Sequence, residues 1–369
     1  MVSIAVSFFV IIVAVSVSSG FRHEIRSGIS SICGDLQILP DDMNYVGNQR
    51  PVSDSASWLR GVCSLPGVVS VSPAVYKAGI VKSGDNIHGV LIKGVERKDT
   101  VPLGVSIPSA LADKLSLVQG DDMLTYFIGE KVRVRKFRVT DVYRGVLDGS
   151  DNLVVFAQIG DMRRLEGWGD GDASCFEVML DPSRRSADRM KGMSALVGTY
   201  ILTNETEDDP DVTVTSAQSR YPQIFAWLDL IDFNVLWILI LMIAVAGFNM
   251  ISGLLILLFR NIPTIGTLKS LGMTDRAISR VFLRVASSLV LKGMAIGNGL
   301  ALLFIAVQGT TKLIRLNPEN YFVSFVPVRL NIPWILSCDA IAYVAIMILL
   351  LIPCLFVSRV DPAQTVRAQ

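Results

Sequence analysis

The residues able to do chemistry in this chain are few and scattered. His23 and His88 are its only histidines. They lie far apart and outside any H-E-x-x-H pattern, so zinc hydrolysis has no ligand set. Neither a G-x-x-x-x-G-K-[ST] phosphate loop nor a G-x-S-x-G elbow occurs, which removes P-loop ATP hydrolysis and serine hydrolysis by this chain itself. Asp41-Asp42 and Asp121-Asp122 could serve as acid/base pairs, but in turn-like sequence they read as solvated, and the acids of 205–211 read as a surface turn. Cys33, Cys63 and Cys175 have no metal-like spacing, which leaves one disulfide or buried thiols as readings; Cys338 and Cys354 fall in an apolar run. Lys292 and Asp339 are ionisable groups in apolar runs and so candidates for function. Each sits near a run's end and is expected to snorkel to the interface. The residues predict neither catalysis nor a cofactor or metal.

One segment does have mechanical meaning. In Arg260-Asn261-Ile262-Pro263-Thr264-Ile265-Gly266-Thr267-Leu268-Lys269-Ser270-Leu271-Gly272, Asn261 is placed to cap a helix, Pro263 to sit in its first turn and Gly272 to end it. Ile265, Leu268 and Leu271 recur every three residues as an apolar stripe. Thr274 then caps a second helix, where Ile278, Val281, Phe282 and Val285 repeat the spacing. A short amphipathic helix of this kind either lies in the headgroup layer or fills a groove on a partner.

The elements that hold this segment follow from composition. The 369 residues are 51% hydrophobic and 18% charged, against about 25% charged in soluble domains. Lys+Arg is 34 and Asp+Glu 33, so there is no basic field for nucleic acid. The apolar residues gather in four runs, at 1–19, 234–259, 285–308 and 335–358. Each reaches or approaches the roughly 20 residues that cross a bilayer. Trp237 and Trp334 open the second and fourth runs at headgroup level. The first run lacks the cationic start of a signal peptide, although Val17-Ser18-Ser19-Gly20 could pass as a cleavage site, and it is read as a retained anchor. Arg260, Lys269, Arg276, Arg280 and Arg284 stand against Asp275 alone in 260–284, which assigns that loop and the tail 359–369 to the cytoplasm. By parity 20–233 and 309–334 face the other side.

The block 20–233 carries short β-branched segments at 68–72, 79–82, 88–94, 131–143, 153–159 and 175–180, with short helices at 109–117 and 161–165. The expected fold is therefore a membrane protein of four transmembrane helices with a large α+β periplasmic domain inserted between the first and second. At the block's ends Phe21, Ile25 and Ile29, then Ile224, Leu228 and Ile231, fall at helical spacing. They read either as stiff stalks that pack together and convey movement, or as ordinary amphipathic connectors. Gly247, Gly253, Gly297 and Gly299 are candidates for close helix approach.

Thr264-Ile265-Gly266-Thr267-Leu268-Lys269-Ser270-Leu271-Gly272-Met273-Thr274, preceded by Arg260, resembles the stretch E-I-G-x-L-[KR]-x-L-G-[AM]-[ST] of the MacB/FtsX-like ABC transporter permeases, including their lipoprotein-releasing LolC/LolE branch. Thr264 stands where the family has glutamate. The tail Asp361-Pro362…Val366-Arg367 is similar to the family's closing D-P-x-x-x-[LV]-R, and 107–121 resembles its leucine-rich helix followed by G-D. The resemblance implies a permease subunit with no bound cofactor, ATP being held by a cytoplasmic ATPase dimer. Arg260, Pro263, Ile265, Gly266, Leu268, Lys269, Leu271 and Gly272 would then form the coupling helix that meets the ATPase. A second permease copy or paralogue, membrane lipids, a lipoprotein cargo and a periplasmic carrier complete the implied partners. The family's other branches imply alternatives: a signalling permease acting on cell-wall hydrolases, or an efflux permease.

Overall fold

The computed structural model describes residues 1–41, 50–84, 86–97, 101–129, 132–144, 153–207, 209–317 and 321–356, with backbone alone at 187, 355 and 356. Asp42, Asp208 and the 360–367 tail motif lie outside the described residues. The chain divides into two compact units, one of 1–23, 226–315 and 325–369, the other of 24–225 and 316–324.

The first unit is helical. Four helices are long and apolar enough to cross a membrane, over Val2–Cys33, Pro222–Arg260, Asp275–Thr311 and Ile332–Cys354. Helix α1 is Val2–Cys33, so the first apolar run and the stripe after it are one unbroken element. The fourth span is broken at Leu350 into Ile332–Leu349 and Leu351–Phe356, with Pro353 in the second piece. Spans of this kind satisfy their backbone groups internally, so side-chain fit decides how they meet. Ile4, Phe8, Ala246, Val290, Ala342 and Ile346 form one core cluster. A Cβ on Gly297 would strike the carbonyl of Ala5, and one on Gly247 would strike Leu349. These two glycines allow close approach, whereas Gly253 and Gly299 have open space beside them. The 309–334 loop is organised by buried Gln308, whose amide donates to Ile314 O and Val326 O and accepts from Ile314 N at 3.1 Å.

The expectation that Asp339 snorkels is overturned. It is 5% exposed and accepts a 2.7 Å hydrogen bond from Asn298 Nδ2. Its position about two turns inside the helix start at Ile332, on the face turned toward Asp275–Thr311, outweighs the pull of the interface. Ser287 and Tyr343 pair at 2.7 Å between the same two helices. Lys292 remains exposed.

The second unit is α+β. Its strands are β1 Leu36–Pro40, β2 Val52–Ser53, β3 Val68–Ser83, β4 Asn86–Val95, β5 Gly104–Pro108, β6 Asp122–Phe127, β7 Arg133–Tyr143, β8 Val154–Gln158, β9 Asp172–Ala173, β10 Cys175–Leu180 and β11 Val212–Ser216. Nine of them form one sheet in the order β11-β1-β10-β3-β4-β8-β5-β7-β6, and a further β3–β6 pairing closes six strands on themselves. The device is the length of β3: its first half pairs with β10 and its second with β4 and β6. Two segments read separately from sequence, 68–72 and 79–82, are thus one strand. The closed part is filled by Val81, Ile92, Val105, Phe127, Phe137 and Val155. Helices Ser109–Leu115 and Ile159–Glu166 plug it through Leu111, Leu115, Met162 and Leu165. The other core packs Leu36, Ile38, Phe176 and Val178 under the helix Ala187–Asn204, whose Met190, Met193, Val197 and Ile201 recur at helical spacing.

Candidate functional site

The helix Ile262–Ser270, designated α2, forms where the sequence places it, with Asn261 at the N-cap and proline in its first turn. The cap works differently from expectation. Asn261 Nδ2 donates back to Leu257 O at 2.7 Å in the preceding helix, so the side chain ties the two helices together and makes no cap hydrogen bond to the first turn. At the other end Met273 N donates to Leu268 O and Gly272 N to Lys269 O, both at 3.0 Å. This double closure is the Schellman arrangement. It requires a left-handed residue, supplied by Gly272 at φ 92°.

The apolar stripe divides. Ile265 is buried against Leu258 and Ile278, with Met273 and Phe282 beside them, and Gly266 is buried with it. Leu268 and Lys269 are half-buried, and Lys269 Nζ reaches Asp275 at 2.8 Å across the turn. Leu271 is 79% exposed, and Arg260, Pro263 and Gly272 are also exposed. A three-residue repeat drifts about 60° per step round a 3.6-residue helix, so its two ends cannot share one face. Ile265 seats the helix, and Leu271 is left exposed.

The stalk residues are largely buried: Phe21 at 7%, Ile25 and Ile29 at 0%, Ile224 at 7% and Leu228 at 3% exposed. Ile231 is half-buried. Within the helical unit Phe21 meets Trp227 edge-on at 5.8 Å, while Arg22 and Ser18 both engage Asp232. Within the sheet-bearing unit the Arg26 guanidinium lies 5.8 Å over the Phe225 ring.

Sequence reasoning missed the buried ionic groups of the sheet-bearing unit. Lys93 pairs with Glu177 at 2.7 Å, Lys77 with Glu166 at 3.3 Å, and Arg185 with fully buried Asp35 at 3.0 Å. Burial, then the nearby Glu177 carboxylate, push the Tyr76 phenol and the Cys175 thiol well above their ordinary range. The only signal available was a lysine beside inward-facing Val90 and Ile92 in β4, which nothing distinguished from a surface lysine. Among the described residues no three His, Cys, Asp or Glu side chains converge on a metal-sized site. A cavity of about 710 Å³ in the helical unit is lined by apolar side chains, including Ala5, Phe9, Ile296, Leu300 and Phe304. It suits hydrocarbon.

Against known proteins, residues 1–195 match the MacB-like periplasmic core domain and residues 236–362 the FtsX-like permease C-terminal domain. The chain is similar to the lipoprotein-releasing system transmembrane protein LolC of Neisseria meningitidis serogroup B, 22% identical over 99% of this chain and 92% of that protein. It is likewise similar to LolE of Haemophilus influenzae, 22% identical over 98% and 92%. Among solved structures it resembles the extracellular domain of the noncanonic ABC-type transporter YknZ from Gram-positive bacteria. The TM-score there is 0.32 at 14% identity, covering 49% of this chain and 98% of that one.

Proposed function

The chain belongs to the MacB/FtsX-like permease family, and from that premise we propose that it releases lipoproteins from the inner membrane using ATP hydrolysed by a separate subunit. As an ABC transporter permease it is a multi-pass membrane protein with a periplasmic domain. In the finer reading, residues 20–233 form that domain between the first and second spans, and α2 is the coupling helix seated on a cytoplasmic ATPase dimer. A second copy or a paralogue completes the complex.

The observation that carries this reading is α2 itself. It is seated through Ile265, closed at Gly272, and presents Leu271 almost fully to solvent on a cationic loop. A leucine held out on a rigid turn is a plug for a groove. The lipoprotein assignment draws on the names of the LolC and LolE relatives and on cost. Drawing acyl chains from lipid costs about 0.8 kcal/mol per CH₂, which calls for an external source of work.

The Leu271→Asp variant tests the coupling role: membrane insertion is retained and co-purification with the ATPase falls at least ten-fold. Wild-type co-purification would remove α2 from the interface. Depletion of the protein tests the cargo. Lipoproteins stranded in the inner membrane support release, and normal sorting transfers the assignment to signalling or efflux.

A further inference from the structure

Helix α1 ends inside the sheet-bearing unit, and the way it ends is unusual. The last carbonyls of a helix lack intrahelical partners and carry partial negative charge. Here Ile32 O accepts from Lys93 Nζ at 2.6 Å and from Tyr76 OH at 3.2 Å. Both donors also bind one carboxylate: Lys93 reaches Glu177 Oε2 at 2.7 Å, and the Tyr76 hydroxyl meets Glu177 Oε1. The side chains come from three adjacent strands. Tyr76 on β3 and Lys93 on β4 are direct register partners, and Glu177 lies on β10, opposite Gln37 of β1. Gln37 Nε2 adds a 3.2 Å bond to the Tyr76 hydroxyl. All four side chains are buried. A second grip lies just beyond the helix: Asp35 accepts from Ser30 Oγ, Leu180 N and Arg185 Nε.

An ion pair serving the sheet alone would be satisfied within the sheet. In this one both donors are shared with the backbone of α1, so the helix cannot slide along its axis without stripping charge-assisted bonds in a dry site, where they are strong. We propose that Lys93, Glu177 and Tyr76 form the joint through which displacement of α1 is delivered to the β1–β10–β3–β4 part of the sheet. The three are positioning residues, and the proposal rests on the permease reading for the source of the displacement.

The test uses the full-length protein reconstituted in lipid with its ATPase. In the Lys93→Met/Glu177→Met double variant both charges leave together and the buried volume is kept. Complex assembly and ATP hydrolysis stay within two-fold of wild type, while lipoprotein release falls at least ten-fold. Release at the wild-type rate overturns the joint.

A second readout needs no cargo. Spin labels at exposed Ser31 and Ser183, with exposed Cys63 replaced by serine, report the separation between the end of α1 and the strand region beside β10. In the otherwise wild-type protein this distance is unchanged by ATP, and in the double variant it shifts or broadens when ATP binds. A nucleotide-dependent distance in the wild type, or an unchanged one in the variant, overturns the proposal. If the wild type releases no lipoprotein while the label distances behave as stated, the cargo assignment fails and the joint stands.

Discussion

In the helical unit the polar side chains that meet between the third and fourth spans do so through hydrogen bonds, half-buried Ser287 with Tyr343 and Asn298 with buried Asp339, and the ion pairs Arg22–Asp232 and Lys269–Asp275 are partly exposed. In the sheet-bearing unit they meet as ion pairs: Lys93 with Glu177, Lys77 with Glu166, and Arg185 with Asp35. The contrast follows from backbone bookkeeping. A membrane-spanning helix satisfies its own peptide groups along its length, so neighbouring spans need only small residues and an occasional hydrogen bond to register against each other. A helix end buried in a sheet domain exposes unpaired carbonyls that need a donor, preferably a cation. The cation in turn needs a carboxylate. In the sheet-bearing unit the buried ion pairs gather where helices end.

The contrast is open to breakage. The largest expected effect is in the sheet-bearing unit, where Glu177→Ala leaves Lys93 buried without its carboxylate. It should cost about 3–5 kcal/mol, read as a lowered unfolding midpoint of the full chain in lipid; a loss under about 1 kcal/mol would make the ion pair incidental. Next is Gly297→Val in the helical unit. A side chain there meets Ala5 O and Phe8, so overpacking of about 1–3 kcal/mol is expected, with the accessibility of labels on α1 as a check.

An alkaline titration sharpens the difference. Burial beside Glu177 holds Cys175 and Tyr76 protonated above their ordinary values of 9.0 and 10.0. Because these folded-state values are raised, the stabilisation is complete below pH 9 and is lost as pH rises beyond it. Cys175→Ala should therefore flatten the decline in stability that sets in above pH 9, and an unchanged slope would exclude the thiol as its source. Tyr343→Phe, which removes one interhelical hydrogen bond, should cost only about 0.6 kcal/mol by the same unfolding measurement. Leu271→Asp should change folding stability by less than about 0.5 kcal/mol, as at an exposed site away from the core, however strongly it affects ATPase binding.

Much of the helical unit was legible in the residues. Twenty-odd apolar positions in a row leave a chain few alternatives, and proline, glycine and asparagine at the right offsets marked α2 to within two residues of Ile262–Ser270. The sheet was harder. Strands at 88–94, 153–159 and 175–180 announced themselves through β-branched runs. The closure of six strands through a 16-residue β3 did not, because pairing two halves of one strand with different partners is a long-range fact. The helix Ala187–Asn204 was missed because Met190, Met193, Val197 and Ile201 are diluted by small and polar residues.

What the amino-acid order determined by itself is local: four spans, a capped turn-and-helix between two of them, and a mixed domain of short strands. Hydrophobic length and turn chemistry act over a few residues, so they can be read from a few residues. Only the tertiary structure decided that Ile265 faces inward while Leu271 faces out, that Asp339 has an amide partner, and that Ile32, Tyr76, Lys93 and Glu177 converge. Those residues lie up to 145 positions apart by their numbering. A hydrogen bond depends on distances of about 3 Å that no spacing along the chain encodes.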